Sequence, residues 1–370
     1  MTSPTCLSIF SGGGGLDIGF QKAGFEVIGA TDADPICEET FGLNQPELPF
    51  RVGSASEYCR EFFETFIDAQ KLTNLDCLIG GPPCPAFSKS RFYRKEKARG
   101  LEDDNADETM KGYLRVLETF SPNYFVLENV KGLTYRSHSN SLDYILENIR
   151  RLGYEHRIWI VNAADYGVPQ IRERAFIVGS KSSLPTFPNP THEKKKNELS
   201  LLNNVPPWRT AGSVLEDLPS NDLHEIPGHF AGGKHHELLK VVPPGDNYLF
   251  FTEKRGHPKP KFKWRSRYWS FLLKLAPDMP SWTIQARRSN NMGPFHWNNR
   301  ILTIDEVKRL QTFPDDWVFA GTIEKQWRQV GNAVPCLLAE TLASAIINKI
   351  RNHHPVESDN VREKISSVRE

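Results

Sequence analysis

The sequence is poor in cysteine, and its cysteines are too widely spaced to form paired-cysteine sites. Six cysteines are spread over 370 residues, whereas zinc sites and small disulfide frameworks use closely spaced pairs. We therefore expect no metal site and interpret the cysteines as reduced thiols, most of them buried and apolar. A catalytic role for any one cysteine needs support from its sequence neighbours.

Long hydrophobic runs are missing as well. No apolar run reaches the about 20 residues that span a membrane, and residues 1–9 lack the basic start and apolar stretch of a secretory signal. We expect a protein without a membrane partner that stays in the cytosol or on nucleic acid inside the cell.

The net charge is only +1 at pH 7, so the overall field gives no reason to expect a polyanionic partner. One stretch differs. Residues 254–274 (KRGHPKPKFKWRSRYWSFLLK) combine many basic side chains with Trp264, Tyr268 and Trp269. Five of its basic residues occupy alternate positions and would share one face of an extended chain. They are Lys259, Lys261, Lys263, Arg265 and Arg267. This basic aromatic segment is either a solvated loop or a surface that contacts phosphates.

What the chain does contain is an alternation of apolar, β-rich runs with longer amphipathic stretches over its first half. CLSIF, FEVIGAT, LDCLIGG and YFVLENV are examples, and seven strand candidates follow one another in this way. The alternation predicts an α/β fold with a doubly wound, mostly parallel, Rossmann-like sheet.

After Ser180 the composition shifts to Pro, Asn, His and Lys, which predicts a smaller irregular domain. A helical pattern near the C-terminus is long enough to pack back on the first domain. We predict a catalytic domain in residues 1–184 and 322–352, a second domain in 185–321, and a polar tail in 353–370.

A glycine-rich loop follows the first strand candidate. Phe10 ends the strand, and Ser11 and four glycines lead into a helix, which is an arrangement that lets a ligand approach the helix N-terminus. Asp32 ends the second strand candidate, where an acid can accept hydrogen bonds from ribose hydroxyls. Alone, the loop is also compatible with nicotinamide or flavin binding, or with a structural turn.

Two further strand ends carry reactive side chains. LDCLIGG runs into Pro82, Pro83 and Cys84, and YFVLENV carries Glu128. Because parallel strands end at the same edge of a sheet, a nucleophile and an acid are predicted to share one crevice. A buried structural thiol and an ordinary surface carboxylate are the alternatives.

Gln170, Arg172 and Arg174 alternate along the chain, which predicts a strand with all three side chains on one face. Two arginines on such a face suit a carbonyl, an oxyanion or phosphates, whereas edge-strand charges are the alternative.

Together these motifs resemble the C5-cytosine DNA methyltransferases of the restriction-modification type. The same order continues towards the C-terminus, and the six motifs cover nearly the whole chain. The later motifs are Arg300-Ile301-Leu302-Thr303 with Glu306, Arg309-Leu310-Gln311 with Phe313-Pro314-Asp315, and Gln329-Val330-Gly331-Asn332-Ala333-Val334-Pro335. In this family the variable target-recognition region lies where the composition shifts here.

The resemblance implies transfer of a methyl group from S-adenosyl-L-methionine to carbon 5 of a cytosine flipped out of a specific duplex DNA site. Cys84 would attack carbon 6, with Glu128, Arg172 and Arg174 completing the catalytic set. The implied cofactor-binding residues are Phe10, Ser11, Gly12, Gly13, Gly14, Asp32, Pro83 and Asn332. The implied DNA-binding residues are Ser88, Gln170 and Thr283, and we add Lys259, Lys261, Lys263, Arg265 and Arg267 from the basic aromatic segment.

The resemblance further implies a monomer in a prokaryotic cytoplasm, associated with the nucleoid and accompanied by a restriction endonuclease for the same site. Three positions depart from the family pattern: Pro85 replaces a usual Gln, Ser54 a frequent Asp, and Ala33 a residue that is often aromatic. The last two predict fewer contacts to the cofactor.

Three alternative functions remain at this point. The tRNA-methylating branch of the family shares the Cys84 and Glu128 motifs, although the longer variable region here favours DNA. A non-catalytic DNA-binding regulator would be expected to lack Cys84 or Glu128. A nicotinamide oxidoreductase is suggested by the glycine loop alone.

Overall fold

A seven-stranded sheet forms the centre of the molecule. The computed structural model describes residues 3–83, 104–194, 205–218 and 228–353. Its strands are β1 (Thr5–Ile9), β2 (Glu26–Asp32), β3 (Phe50–Val52), β4 (Cys77–Gly80), β5 (Tyr124–Val130), β6 (Glu155–Asn162), β7 (Gln170–Ile171), β8 (Glu173–Ser180) and β9 (Ser281–Trp282). The sheet order is β3-β2-β1-β4-β5-β8-β6, and β7 pairs separately with β9. The predicted doubly wound, mostly parallel sheet is confirmed.

Helices connect and flank these strands. They are α1 (Gly15–Ala23), α2 (Pro35–Asn44), α3 (Arg60–Glu64), α4 (Ala69–Thr73), α5 (Asp104–Phe120), α6 (Ser139–Arg151), α7 (Gly212–Leu215), α8 (His236–Val241), α9 (Ile304–Leu310), α10 (Ile323–Asn332) and α11 (Cys336–His353). Helices α5 and α6 contribute to the core on one face of the sheet, and α1 and α11 to the core on the other. Along β1, Leu7 belongs to the first core and Cys6 to the second.

One strand of the sheet runs against the others. Strands β1 to β5 are parallel to one another, whereas β8 is antiparallel to both β5 and β6. Strand β8 therefore begins at the edge where β5 ends, and Arg174 lies opposite Val130. This reversal brings the start of β8 to the carboxyl edge of the parallel strands, where α/β folds place their ligands.

The C-terminal helices complete the first domain. The stretch Ile323–Asn352 is apolar and long enough to cross a membrane, yet 67% of its apolar window is buried inside the fold. Helix α11 packs along α1 and adds Leu342 and Ile346 to the core. Its apolar residues thus serve packing against the sheet layer.

A third core is formed by residues between 211 and 336 together with Ile18 of α1. It has few long elements, and its aromatic side chains come from short turns, among them Tyr248, Phe251 and Phe271. The buried ion pair of Arg300 with Glu306, at 2.6 and 2.8 Å, ties the start of α9 to this core. The domain boundaries drawn from the sequence stay a prediction.

A buried acid lies beneath the glycine loop. Asp17, in the first turn of α1, is fully buried, and its carboxylate oxygens have no hydrogen-bond partner of normal geometry among the described residues. Burial, with a smaller contribution from the nearby charge of Asp32, raises the pKa of Asp17 to about 7. The folded protein therefore keeps this proton through a pH range in which the unfolded chain, with a pKa of about 3.9, has lost it.

We predict that Asp17 makes the protein less stable as pH rises from about 4 to about 7. The folded state binds more protons than the unfolded state over this range, so the free energy of unfolding falls by on the order of 4 kcal/mol. Asp17→Asn cannot ionise and loses this dependence. Urea unfolding at several pH values should show the free energy of unfolding of the variant rising relative to that of the wild type up to about pH 7. Above that pH the difference should be constant. A difference that does not change with pH would show that Asp17 titrates normally.

Candidate active site

The glycine loop is held in shape by the acid at the end of β2. The backbone N–H of Gly12 donates to Asp32 Oδ2 at 2.9 Å, and that of Asp34 donates to Asp32 Oδ1 at 2.9 Å. Phe10 has a φ of 55°, which turns the chain at the end of β1. The glycine loop and Asp32 therefore lie together at one edge of the sheet, as the strand ends predict.

The loop packs tightly under the C-terminal part of the chain. Gly14 has a φ of 87°, and a β-carbon on Gly15 would lie 2.2 Å from the carbonyl oxygen of Val334. A β-carbon on Gly12, in contrast, would meet nothing within 4 Å among the described residues. The loop thus has one side closed by protein and one side open, and exposed Asn332 stands at the end of α10 beside it.

Two aromatic residues that sequence reasoning missed also close the loop. A β-carbon on Gly13 would lie 2.9 Å from the ring of Phe319, and one on Gly14 would lie 2.9 Å from that of Trp317. Both follow the Phe313-Pro314-Asp315 motif directly, and this position is the one sequence signal that they carry.

The second half of the crevice is the end of β4 beside β5. Gly80 lies opposite Leu127 in the parallel ladder, so the next residue, Gly81, comes beside Glu128. A β-carbon on Gly81 would lie only 2.8 Å from Glu128 Oε2. Pro83 is the last described residue of this loop and is exposed, while Cys84, Pro85 and Ser88 lie outside the described residues.

Glu128 is buried and paired with an arginine. Arg174 Nε lies 2.9 Å from Glu128 Oε1, and both side chains are about nine-tenths buried, at 12% and 10% exposed. Burial raises the pKa of Glu128, and the charges of Arg174 and Arg172 partly offset this increase. The site therefore holds a carboxyl group that is protonated more readily than a surface glutamate and is oriented by a guanidinium.

The predicted strand through Gln170, Arg172 and Arg174 is wrong. The chain leaves β7 after Ile171 and joins the main sheet at Glu173, so Gln170 and Arg174 belong to different sheets and Arg172 lies between them. Arg172 is buried and donates to four carbonyls, at 3.0 Å to Ile284, 2.9 Å to Gly331, 3.4 Å to Asn332 and 2.9 Å to Ala333. It holds backbone segments together, and its charge also acts on Glu128. Its catalytic role stays a prediction.

Gln170, which the sequence predicts to contact DNA, lies inside the protein. Its side chain is fully buried, donates to Leu310 O at 3.1 Å and Gln311 Oε1 at 3.0 Å, and accepts from Ile284 N at 3.0 Å. With all of these partners inside the protein, Gln170 has no surface to offer DNA in this structure. Thr283 is partly exposed, and its hydroxyl donates to Ile171 O at 2.7 Å.

The basic aromatic segment is exposed, but it is not extended. Turns interrupt it, and Arg265 has a positive φ of 54°, so the predicted single face of alternating charges is wrong. All five predicted basic residues remain exposed: Lys259, Lys261, Lys263, Arg265 and Arg267. Whether they contact phosphates stays a prediction.

Two of the departures from the family pattern can be located. The Ser54 hydroxyl lies 2.5 Å from that of Ser56, and its backbone N–H donates to Glu57 at 2.6 Å, so Ser54 caps a short helical turn. Ala33 is exposed next to Asp32. The predicted loss of contacts to the cofactor at these two positions stays a prediction.

Comparison with known proteins matches this arrangement across nearly the whole chain. Residues 5–348 fit the family model described as C-5 cytosine-specific DNA methylase. The Type II methyltransferase M.SacI of Streptomyces achromogenes is 36% identical over 369 residues, covering 93% of this chain and 93% of that protein. The Type II methyltransferase M1.HphI of Haemophilus parahaemolyticus is 31% identical, covering 95% of this chain and 88% of that protein.

A solved structure shares the fold. The crystal structure of a prophage-encoded protein from E. coli, described as a DNA modification methyltransferase, superposes with a TM-score of 0.68. The match covers 94% of this chain and 100% of that chain at 23% sequence identity. At this identity the likeness concerns the fold.

We predict that Gly15→Ala destabilises the protein because the new methyl group would overlap the Val334 carbonyl, a backbone atom that cannot rotate away. The expected loss is about 1–3 kcal/mol in the free energy of urea unfolding. Gly42→Ala is the matched control, since Gly42 lies in α2 with nothing within 4 Å of its β-carbon position. The free energy of unfolding of the control should rise by about 0.5–1 kcal/mol. Equal effects at the two positions would contradict the close packing of the loop.

Proposed function

This chain belongs to the C-5 cytosine-specific DNA methylase family, and we propose that its DNA cytosine-5-methyltransferase activity uses Cys84 as the nucleophile and Glu128 as the acid. The observation that carries this proposal is the contact of Gly81 with Glu128 at the carboxyl edge of β4 and β5. Cys84 follows Gly81 by three residues, within about 10 Å of chain. This short length of chain allows the nucleophile to approach the buried acid.

The chemistry needs both groups because carbon 5 of cytosine is a poor nucleophile. The thiolate of Cys84 forms a bond to carbon 6, and the electron pair displaced from the 5,6 double bond moves into the ring as N3 takes a proton. Glu128 is suited to supply that proton, since burial has raised its pKa. Arg174 then stabilises the carboxylate that remains and orients it.

The reaction closes by returning the ring to its aromatic form. When bound, S-adenosyl-L-methionine would supply an electrophilic methyl group and would leave as S-adenosyl-L-homocysteine when the bond between its sulfur and that methyl group breaks. As carbon 5 takes the methyl group, N3 returns its proton to Glu128. The proton on carbon 5 then leaves to a base, and the Cys84 sulfur is expelled as its bond to carbon 6 breaks. The enzyme is thereby restored without any external oxidant or reductant.

We assign the methyl donor to the open side of the glycine loop. The space above Gly12 is free of protein within 4 Å, and Asp32 beside it keeps lone pairs for ribose hydroxyls after binding the loop. The residues proposed to hold the cofactor are Phe10, Ser11, Gly12, Gly13, Gly14, Asp32, Pro83 and Asn332. Most of them are polar or small, as close approach of a nucleoside requires.

The DNA substrate is a duplex whose target cytosine is flipped into the crevice, because the ring is inaccessible within stacked base pairs. The third core, around residues 211–336, and the basic aromatic segment are proposed to read the DNA sequence and anchor phosphates. A monomer in a prokaryotic cytoplasm, partnered by a restriction endonuclease of the same specificity, is the setting that relatives named Type II methyltransferases suggest.

The overall proposal is tested by expressing the gene in a host free of cytosine methylation and mapping 5-methylcytosine in its DNA and tRNA. Methylation confined to one short duplex sequence is expected, and it would also give the recognised site. Methylation of tRNA with none in DNA would overturn the DNA assignment in favour of the tRNA-methylating branch.

We predict that Cys84→Ser abolishes methyl transfer while DNA and cofactor binding remain, because a hydroxyl is a far poorer nucleophile at neutral pH. DNA with 5-fluorocytosine at the target should trap the wild type covalently, since fluorine cannot leave as a proton does. Cys59→Ser is the control, as Cys59 is an exposed free cysteine. Trapping of Cys84→Ser on the fluorinated DNA would assign the nucleophile elsewhere.

We predict that Glu128→Gln slows single-turnover methylation by about 100- to 10,000-fold, because the amide keeps the shape of the side chain but cannot deliver a proton. Glu173→Gln is the control, since Glu173 lies one residue from Arg174 and forms a surface ion pair with Lys131 at 2.6 Å. The control should react at nearly the wild-type rate. A Glu128→Gln rate equal to that of the control would remove Glu128 from the mechanism.

A further inference from the structure

An exposed tryptophan stands at the edge of the candidate active site. Trp269 has 50% of its surface exposed, although large apolar side chains are usually covered. Its ring packs at a 72° angle against Trp282, with ring centroids 5.7 Å apart, and its carbonyl accepts a hydrogen bond of 2.8 Å from Asn247. The side chain is therefore held from behind and open in front.

The position of Trp269 relative to the acid follows from the strand pairing. Trp282 lies opposite Ile171 in the β7–β9 ladder, and three residues beyond Ile171 the chain reaches Arg174, the partner of Glu128. Three residues span at most about 10 Å. A second link is Ser270, the neighbour of Trp269, whose hydroxyl lies 3.5 Å from Gln285 Nε2, next to the Ile284 carbonyl that binds Arg172. In the proposed complex, the duplex that delivers a cytosine to Glu128 also covers the indole of Trp269.

The charge around Trp269 favours nucleic acid over a protein partner. Exposed Lys263, Arg265 and Arg267 precede it within six residues, and residues 254–277 of the sequence contain no acid. A neighbouring tryptophan is already engaged, because Lys254 Nζ lies 4.5 Å from the ring centroid of Trp264. An indole surrounded by cations is the combination that binds phosphates and stacks bases.

We propose that Trp269 is a stacking site for a DNA base next to the flipped cytosine. Extruding a base leaves the faces of its two neighbours without a stacking partner, and one exposed indole face is the right size to cover one of them. Trp282 fixes the orientation of Trp269 beforehand, which lowers the entropy cost of the contact. This inference rests on the proposed DNA methyltransferase mechanism and names a residue outside its catalytic groups.

The test compares four variants by their affinity for a duplex that carries the mapped target site, measured over a range of salt concentrations. Trp269→Ala should weaken binding by about 5- to 100-fold without changing the salt slope, because stacking releases no counterions. Trp269→Phe keeps a ring and should recover most of the affinity. Lys263→Ala is the electrostatic comparison and should lower the slope by about one unit if it contacts a phosphate. Leu43→Ala is the control for an exposed apolar residue, at 60% exposure on α2, and should bind as the wild type does.

A second measurement places 2-aminopurine next to the target cytosine. Its fluorescence should stay low in the wild-type complex, where Trp269 covers the base, and rise in the Trp269→Ala complex. Unchanged affinity and unchanged fluorescence in Trp269→Ala, with the wild type binding and methylating normally, would overturn this inference alone. Failure of the wild type to bind or methylate the duplex would instead overturn the proposed function.

Discussion

The arrangement of the crevice depends on the buried guanidinium of Arg172. A buried cation is costly unless its donors are satisfied, and Arg172 directs its terminal nitrogens at carbonyls of Ile284, Gly331 and Ala333. The last two carbonyls belong to the C-terminal end of α10, where helical carbonyls lack partners and the helix dipole favours a positive charge. One side chain therefore joins the start of β8, the segment after β9 and the end of α10.

Several of the candidate functional residues lie next to this junction. Arg174, two residues beyond Arg172, is aimed at Glu128, while the segment after β9 carries Thr283 and the end of α10 carries Asn332. Trp327 strengthens the same contact by donating to the carbonyl of Gln285 at 2.9 Å. One set of hydrogen bonds thus joins the segment after β9 and the end of α10 to the start of β8, close to Glu128.

Much of this could be predicted from the sequence, and the reason is that it depends on local order along the chain. The family, the sheet, and the placing of Glu128 beside the end of β4 follow from strand ends at one edge. The glycine loop with Asp32 follows in the same way. Patterns of period two were less reliable, because they assume one continuous strand. The strand is interrupted between Ile171 and Glu173, where Arg172 is buried and binds the carbonyls of Ile284 and Gly331.

Contacts between distant segments could not be predicted from any local pattern. The carbonyl partners of Arg172 lie more than 100 residues away, and backbone carbonyls leave no trace in the residue types. The burial of Asp17 and the closure of the glycine loop by Trp317 and Phe319 are of the same kind. Such features need the packed structure, because the sequence does not record which faces meet.

The most direct test of the role of Arg172 is hydrogen–deuterium exchange of Arg172→Lys, with the exposed Arg157→Lys as its control. A lysine carries the same charge but offers a single ammonium, which cannot reach carbonyls of both segments. The account predicts faster exchange in residues 281–286 and 329–334 together, with β1, β4 and β5 unchanged and the control like the wild type. Unchanged exchange in both segments, or faster exchange in only one of them, would contradict the claim that this guanidinium joins them.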